Sequence, residues 1–166
     1  MEIQRDAVFY IATGKCRQEA HWKNEEWSWG QFVERVSGTH RTAERLAEYM
    51  SATKTRQDEI KDIGGFVGGY LRGGKRRKEN VVSRRLLTLD IDIASADRWA
   101  IFCVMYDCAS LVYSTHKHTP AKSRLRHVIL LDRDVPPEED EAIGPRVERR
   151  MRTEECRDTP ATATRW

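Results

Sequence analysis

Along residues 86–93 large apolar side chains alternate with polar ones: Leu87, Leu89, Ile91 and Ile93 fall on one parity, and Thr88, Asp90 and Asp92 on the other. Successive side chains of an extended chain point to opposite faces. The segment therefore predicts a strand with one face on a core and two carboxylates on the other. Short apolar runs at Ala7–Ala12, Ala109–Ser114 and Leu125–Leu131 predict further buried strands. Ser28 with Gln31 reads as a capping box that opens a helix through about Val36, with Phe32, Val33 and Val36 on its apolar side. Two more helices are predicted over Thr42–Met50 and Thr55–Asp62, the latter stopped by Gly64-Gly65. Ser95 predicts a cap for a helix to about Asp107, and its apolar positions Trp99, Ile101, Phe102, Val104 and Met105 span more than one face, as in a well-buried helix. Pro136-Pro137 before Glu138-Glu139 predicts another helix start, and Gly144-Pro145 a break or kink soon after it. The pattern is that of one α+β domain over residues 1–166, with a small mixed or antiparallel sheet covered by helices. A helical, Gly-rich portion occupies residues 1–80, the strand-rich core 81–135 and a tail 136–166.

Composition sharpens this picture at a few points. At 166 residues the chain is long enough for a real core, and 33% charged residues with a mean hydropathy of −0.70 predict an ionic surface. The net charge of +3 does not announce a nucleic-acid binder. The distribution says more, because residues 72–85 hold seven Lys or Arg against one acid, Glu79. The cysteines Cys16, Cys103, Cys108 and Cys156 lack C-x-x-C spacing, which argues against a zinc ribbon and for reduced, mostly buried thiols. No apolar run reaches membrane-spanning length and the first residues do not resemble a signal peptide, so the expectation is a cytoplasmic protein with no membrane partner.

The candidate chemistry lies in two strings. Asp90 and Asp92 on one strand face repel each other, and a divalent cation with oxygen preference would offset them. An exposed strand carrying two acids, without metal, is the plain alternative. The second string, Leu111-Val112-Tyr113-Ser114-Thr115-His116-Lys117-His118, ends a strand with a hydroxyl and two imidazoles, groups suited to phosphates. Lys122, Arg124 and Arg126 alternate along the next strand and predict a basic ladder for a triphosphate or nucleic-acid backbone, or a charged edge that discourages strand pairing. Residues 64–78 combine six glycines with Phe66, Tyr70 and the cations Arg72, Lys75, Arg76, Arg77 and Lys78. That segment is either a solvated flexible loop or a surface that meets nucleic acid. Trp22, Trp27 and Trp29 fit packing and base stacking equally well.

Taken in order, Asp62-Ile63-Gly64-Gly65-Phe66-Val67-Gly68-Gly69, the Asp-x-Asp strand, and residues 113–126 with their Ser-Thr-His-Lys-His-Thr-Pro string resemble the phage- and plasmid-borne primase-polymerases of the archaeo-eukaryotic primase superfamily. The resemblance runs from near the N-terminus to about Val135. It implies an RRM-like catalytic core and template-directed nucleotidyl transfer, either primer synthesis or polymerisation, in bacterial phage or plasmid replication. It implies Asp90 and Asp92 as carboxylates for Mg²⁺ or Mn²⁺, and Ser114 and His116 as nucleotide-binding groups, with His116 on the triphosphate. Lys122, Arg124 and Arg126 would line that site. The implied partners are a DNA template, an NTP or dNTP, and a replicative helicase encoded separately. Relatives carry a third acid on a later strand; here only Asp158, and less well Asp132 and Asp134, are available. Residues 149–166 show no strand pattern, which predicts a divergent tail of the kind a truncated or frameshifted gene produces. A catalytically incomplete nucleic-acid-binding remnant, and a different metal-dependent phosphotransferase or nuclease, remain alternatives.

Overall fold

The computed structural model describes residues 5–92, 94–95 and 97–157, with side chains as far as residue 152. Among the described residues, six strands form two three-stranded antiparallel sheets. The first has the order β2-β1-β3, from β1 (Val8–Gly14), β2 (Lys23–Ser28) and β3 (Gly65–Val67); the second has the order β4-β6-β5, from β4 (Arg84–Ile91), β5 (Ser110–Ser114) and β6 (Leu125–Val135). The helices are α1 (Trp29–Ser37), α2 (Leu46–Ser51), α3 (Lys54–Ile60), α4 (Arg98–Met105) and α5 (Pro137–Arg157). Because β6 is antiparallel to both neighbours, β4 and β5 run parallel on either side of it. The order β4–α4–β5–β6–α5 is therefore a split βαβ unit continued by a hairpin and a helix, the connectivity of an RRM-like core.

The second sheet is buried on both sides over part of its length. Leu86, Val128 and Leu130 meet Phe9, Ile11, Trp29 and Phe32 from the first sheet and α1, while Leu87, Leu89 and Ile129 meet Phe102 of α4 and Met151 of α5. The predicted parity of β4 holds: Leu87, Leu89 and Ile91 are buried and Thr88 and Asp90 exposed. Ile93 lies outside the described residues.

The first sheet is what the sequence concealed. In β1, Phe9 and Ile11 face the core and Val8 and Tyr10 face out, but all four are apolar, so alternation was invisible. The Lys23-Asn24-Glu25-Glu26 run of β2 carried no strand signal at all. The tryptophans are packing residues. Trp29 belongs to the core shared by the two sheets, Trp27 packs against it, and Trp22 packs with Ala12, Val67 and Leu71.

Helix α1 begins where its capping box predicts. Ser28 Oγ accepts from Gln31 N–H at 3.2 Å, and Gln31 Oε1 accepts from Ser28 N–H at 2.8 Å. α2 is shorter than expected, since residues 42–45 are not helical. α3 buries no residue and is tied down by charge. Asp58 pairs with Arg17 at 2.9 Å and Lys61 at 2.8 Å, and the ammonium groups of Lys54 and Lys61 hold its carboxyl far below the usual range.

Several expectations are corrected. α4 is not well buried: Phe102 is inside, but Val104 is 88% exposed and Trp99 is also solvent-facing. Its cap position is Asp97, two residues beyond the expected Ser95. Of the described thiols, Cys103 is exposed and Cys16 and Cys108 are half-buried; all three are free. α5 continues through Pro145 to Arg157 instead of breaking. A proline clashes chiefly with the residue before it and with a carbonyl one turn earlier. Here the preceding residue is Gly144, which has no Cβ to offend, and a Cβ at that site would meet Leu89 Cδ2 at an ordinary 3.6 Å, so this side of the helix lies against β4.

The Gly-rich segment is neither a flexible loop nor an open surface along residues 64–69. Gly65 enters β3, and Gly68 and Gly69 lie buried against the start of β4, where Arg85 N–H donates to Gly68 O at 2.8 Å. A Cβ on Gly69 would fall 1.8 Å from Ser83 O, a backbone atom with little freedom to yield. Gly69→Ala is therefore expected to lower stability by roughly 1–3 kcal/mol. Gly38→Ala, whose nearest atom lies at an ordinary 3.7 Å, should cost far less. Urea midpoints of the two variants check this; equal midpoints would contradict the close packing. No helix among the described residues is long and apolar enough to cross a membrane.

Candidate nucleotide site

The carboxylates sit at the end of β4, Asp90 in register with Arg126 of β6 and Asp92 just past the strand, near Arg124, which precedes β6. Asp90 stands opposite Arg126, which in turn stands opposite Tyr113 of β5, so the three side chains form a row across one face of the sheet. Arg126 Nε donates to Asp90 Oδ1 at 2.7 Å and Arg126 Nη2 to Asp90 Oδ2 at 3.0 Å, a bidentate pair. One step further out, Arg124 Nη1 donates to Asp92 Oδ1. The charge that offsets the two acids in this structure is thus the protein's own. The ladder of Arg124 and Arg126 does share the face of Asp90 and Asp92, but its guanidiniums hold the carboxylates and do not stand open. The Asp90 carboxylate raises the Arg126 pKa above its ordinary value, and burial raises that of the Tyr113 hydroxyl.

The remaining predicted residues are arranged around this row. Ser114 pairs with Leu125 and so has the opposite parity to Tyr113 and Arg126; it is exposed at the strand end on the other face. The chain then turns, with His118 N–H donating to Thr115 O at 2.9 Å. His118 Nδ1 accepts from Arg124 N–H at 3.2 Å, which ties the turn to β6 and leaves the proton of a neutral ring on Nε2. Lys122 is exposed at the hairpin tip, where its backbone exchanges hydrogen bonds with Thr119 at 3.1 Å.

His116 leans back toward the N-terminal helices. Its ring centroid is 4.3 Å from that of Tyr49 in α2, and its Nε2 is 3.4 Å from Thr42 Oγ1. Lys117 Nζ lies 5.6 Å from the Tyr49 ring centre. Tyr49 is 1% exposed and its hydroxyl is buried without a hydrogen-bond partner among the described residues. Thr42, Tyr49 and Tyr113 were not identified from sequence. Tyr113 had a usable signal, the parity it shares with Asp90 once the strands are paired. Tyr49 and Thr42 had none, being ordinary positions near a short helix.

Asp90 and Asp92 suit one hard cation. They are oxygen donors two positions apart on one face and both are exposed, each paired with an arginine in this structure. Among the described residues no group of three or more His, Cys, Asp or Glu comes together to hold a metal. Asp134 lies near the start of β4, beside Ser83, and Asp132 lies two residues before it. That is roughly 20 Å along the sheet from Asp90, which removes both as a third ligand. Asp158 lies outside the described residues.

The basic segment also occupies the far end. Arg76 stacks over the Trp22 ring at 4.8 Å, Lys78 pairs with Glu141 of α5 at 2.6 Å, and Arg77 approaches Glu79 at 3.9 Å. Arg72 and Lys75 are exposed nearby. With Arg84, Asp140 and Pro137 this segment borders a cavity of about 280 Å³, and burial there raises the Asp140 pKa. The sequence-predicted residues therefore form two groups at opposite ends of β4: Asp90, Asp92, Arg124, Arg126, Ser114 and His116 at one, and residues 72–78 at the other.

The model of the VapE N-terminal domain matches this chain over residues 1–166, and the chain belongs to that family, which is associated with phage and plasmid replication. No curated protein and no solved structure matches the chain.

Proposed function

From membership in a replication-associated family, we propose that the Asp90 end of the second sheet is a nucleotide site for metal-dependent, template-directed nucleotidyl transfer, as in the primase-polymerases that the sequence resembles. The observation that carries this reading is the meeting of two carboxylates and two guanidiniums on one sheet face, with His116 on its flank. Asp90 and Asp92 would hold Mg²⁺ or Mn²⁺. When bound, the ion would supply Lewis-acid polarisation of a hydroxyl or phosphate oxygen. Arg126 and Arg124 would turn from the carboxylates to the phosphates, and their planar forks suit phosphate oxygens. Lys122 at the hairpin tip would add charge at the outer phosphate. His116, braced by Tyr49 and Thr42, would donate a hydrogen bond to the triphosphate, with Ser114 at the strand end. Arg72, Lys75, Arg76, Arg77 and Lys78 would contact the DNA template far from the reacting groups. A helicase would come from a separate chain.

A second reading has its own support: the carboxylates are already paired with arginines, and two acids rather than three converge among the described residues. On that reading the domain binds nucleotide or nucleic acid without completing the transfer. A primer-synthesis assay on single-stranded template with Mg²⁺ and with Mn²⁺ separates the two. Nucleotidyl transfer predicts metal-dependent incorporation of labelled nucleotide that Asp90→Ala reduces to background. Incorporation that survives Asp90→Ala overturns the site, and salt-sensitive DNA binding without incorporation supports the second reading.

A further inference from the structure

The first sheet carries a surface that the nucleotide site does not use. Nine large apolar side chains are exposed among the described residues, and four of them, Val8, Tyr10, Tyr70 and Val82, fall on one face. The strand geometry puts them there. With Phe9 and Ile11 turned inward, Val8 and Tyr10 point out of β1. Leu71 and Val81 form an antiparallel bridge with Leu71 fully buried, so their neighbours Tyr70 and Val82, joined by Val82 N–H to Tyr70 O at 2.9 Å, point the other way. The rings of Tyr10 and Tyr70 meet edge to face with centroids 5.3 Å apart, which fuses the two pairs into one patch.

The patch is framed by acids. Glu26 stands directly opposite Tyr10 on β2, and its carboxylate raises the pKa of the Tyr10 hydroxyl. Asp134 accepts from Ser83 Oγ at 3.4 Å and lies close enough for its charge to act on Tyr10. Neither carboxylate forms an ion pair with a described residue. Two negative groups beside aromatic faces repel a phosphate backbone and favour a planar cation, because a guanidinium can stack on a tyrosine ring and direct its N–H groups at a carboxylate. Contiguous exposed apolar surface of this kind marks contact with another macromolecule.

We infer that the Val8–Tyr10–Tyr70–Val82 face is a docking site for a partner protein segment that presents an arginine next to aliphatic side chains, with Glu26 and Asp134 receiving the guanidinium. The site lies at the opposite end of β6 from Arg126 and is independent of the proposed nucleotide chemistry.

The test is a titration of ¹⁵N-labelled protein with a blocked hexapeptide of alternating arginine and leucine, followed by amide resonances. The expected result is shifts confined to residues 8–10, 26, 70, 82 and 134. Glu26→Gln and Tyr10→Ser should each weaken binding by about fivefold to tenfold. Glu26→Gln changes an exposed side chain without altering its size, so it remains informative if Tyr10→Ser fails to fold. Absence of shifts at these residues, or unchanged affinity in Glu26→Gln, overturns the inference. Equal shifts with a peptide bearing glutamate for arginine also overturn it. So does oligodeoxythymidylate moving the same resonances, which would assign the face to single-stranded nucleic acid.

Discussion

Mutation of Arg126 or Arg124 to alanine is expected to tighten the binding of Mn²⁺ alone while weakening the binding of a nucleoside triphosphate. The reason is that both ligands compete with the same internal pairs. In the free protein Asp90 is held by two hydrogen bonds from Arg126, and Asp92 by Arg124. A cation arriving alone must displace guanidiniums from the carboxylates. A triphosphate arriving alone must draw the guanidiniums away and leave two adjacent anions uncompensated. Arriving together, the two ligands would exchange partners: the carboxylates would go to the cation and the arginines to the phosphates. These side chains are partly exposed, so each pair costs only about 1 kcal/mol to open. Two pairs, added to the direct attraction between cation and triphosphate, give mutual enhancement on the order of 100-fold. Calorimetry with a non-hydrolysable dNTP, with and without Mg²⁺, measures the enhancement, and Mn²⁺ titration followed by electron paramagnetic resonance measures the metal alone. Unchanged Mn²⁺ affinity in Arg126→Ala would show that the pairs do not guard the carboxylates. That outcome leaves open whether the site transfers nucleotides, which the incorporation assay decides separately.

The second large effect concerns stability. His127 lies near the start of β6, 2% exposed, with the Phe102 ring centroid 4.2 Å away and Trp99 at 5.7 Å. Its Nε2 is buried with no hydrogen-bond partner among the described residues. Burial, and then the nearby positive charge of Arg98, lower its pKa from 6.5 to about 4. Below about pH 6.5 the unfolded chain takes up a proton that the folded chain refuses, so folding stability falls as the pH drops toward 4. The loss should reach about 2–3 kcal/mol across that window. Carboxylates such as Asp58, whose folded pKa is depressed, begin to lose their contribution only near the unfolded value of 3.8 and below, so the upper window belongs to the histidine. Denaturant midpoints at pH 7 and pH 4.5 measure the slope, and His127→Phe should flatten it. A His127→Phe protein with the same acid slope as the wild type would assign the loss to other groups.

How much was legible beforehand depended on the range of the interactions involved. Local rules worked where one stretch of chain contains both partners. The Ser28–Gln31 box started α1 as written, and the parity of β4 separated Leu87 and Leu89 from Asp90 correctly. They failed where the deciding partner lay far away in sequence. Gly68 and Gly69 look like a flexible loop until Leu86 and Ser83 are brought against them. Pro145 looks like a helix stop until its glycine neighbour is seen packed on β4. α4 carries apolar residues on several faces, yet only Phe102, Ile101 and Met105 joined a core, which left Trp99 and Val104 in solvent.

The candidate site divides in the same way. Which residues could do chemistry was evident from the chain itself, because Asp-x-Asp in an alternating strand and the Ser-Thr-His-Lys-His string are local patterns. Alternation also put Arg124 and Arg126 on a common face. The sequence by itself thus determined the strands of the second sheet, the two faces of β4 and the inventory of charged groups. Only the tertiary structure decided what those groups touch, since strand register is set by pairing between segments some 35 residues apart. That register places Arg126 against Asp90 and Tyr113, turns Ser114 to the other face, and brings Tyr49 under His116. It also carries the basic segment 72–78 to the far end of the sheet, where part of its charge is spent on Glu141 and Trp22. Electrostatic and hydrogen-bonding energies fall off over a few ångströms, so a side chain's role follows from its neighbours in space, and those neighbours are fixed only once the sheets have closed over their shared core.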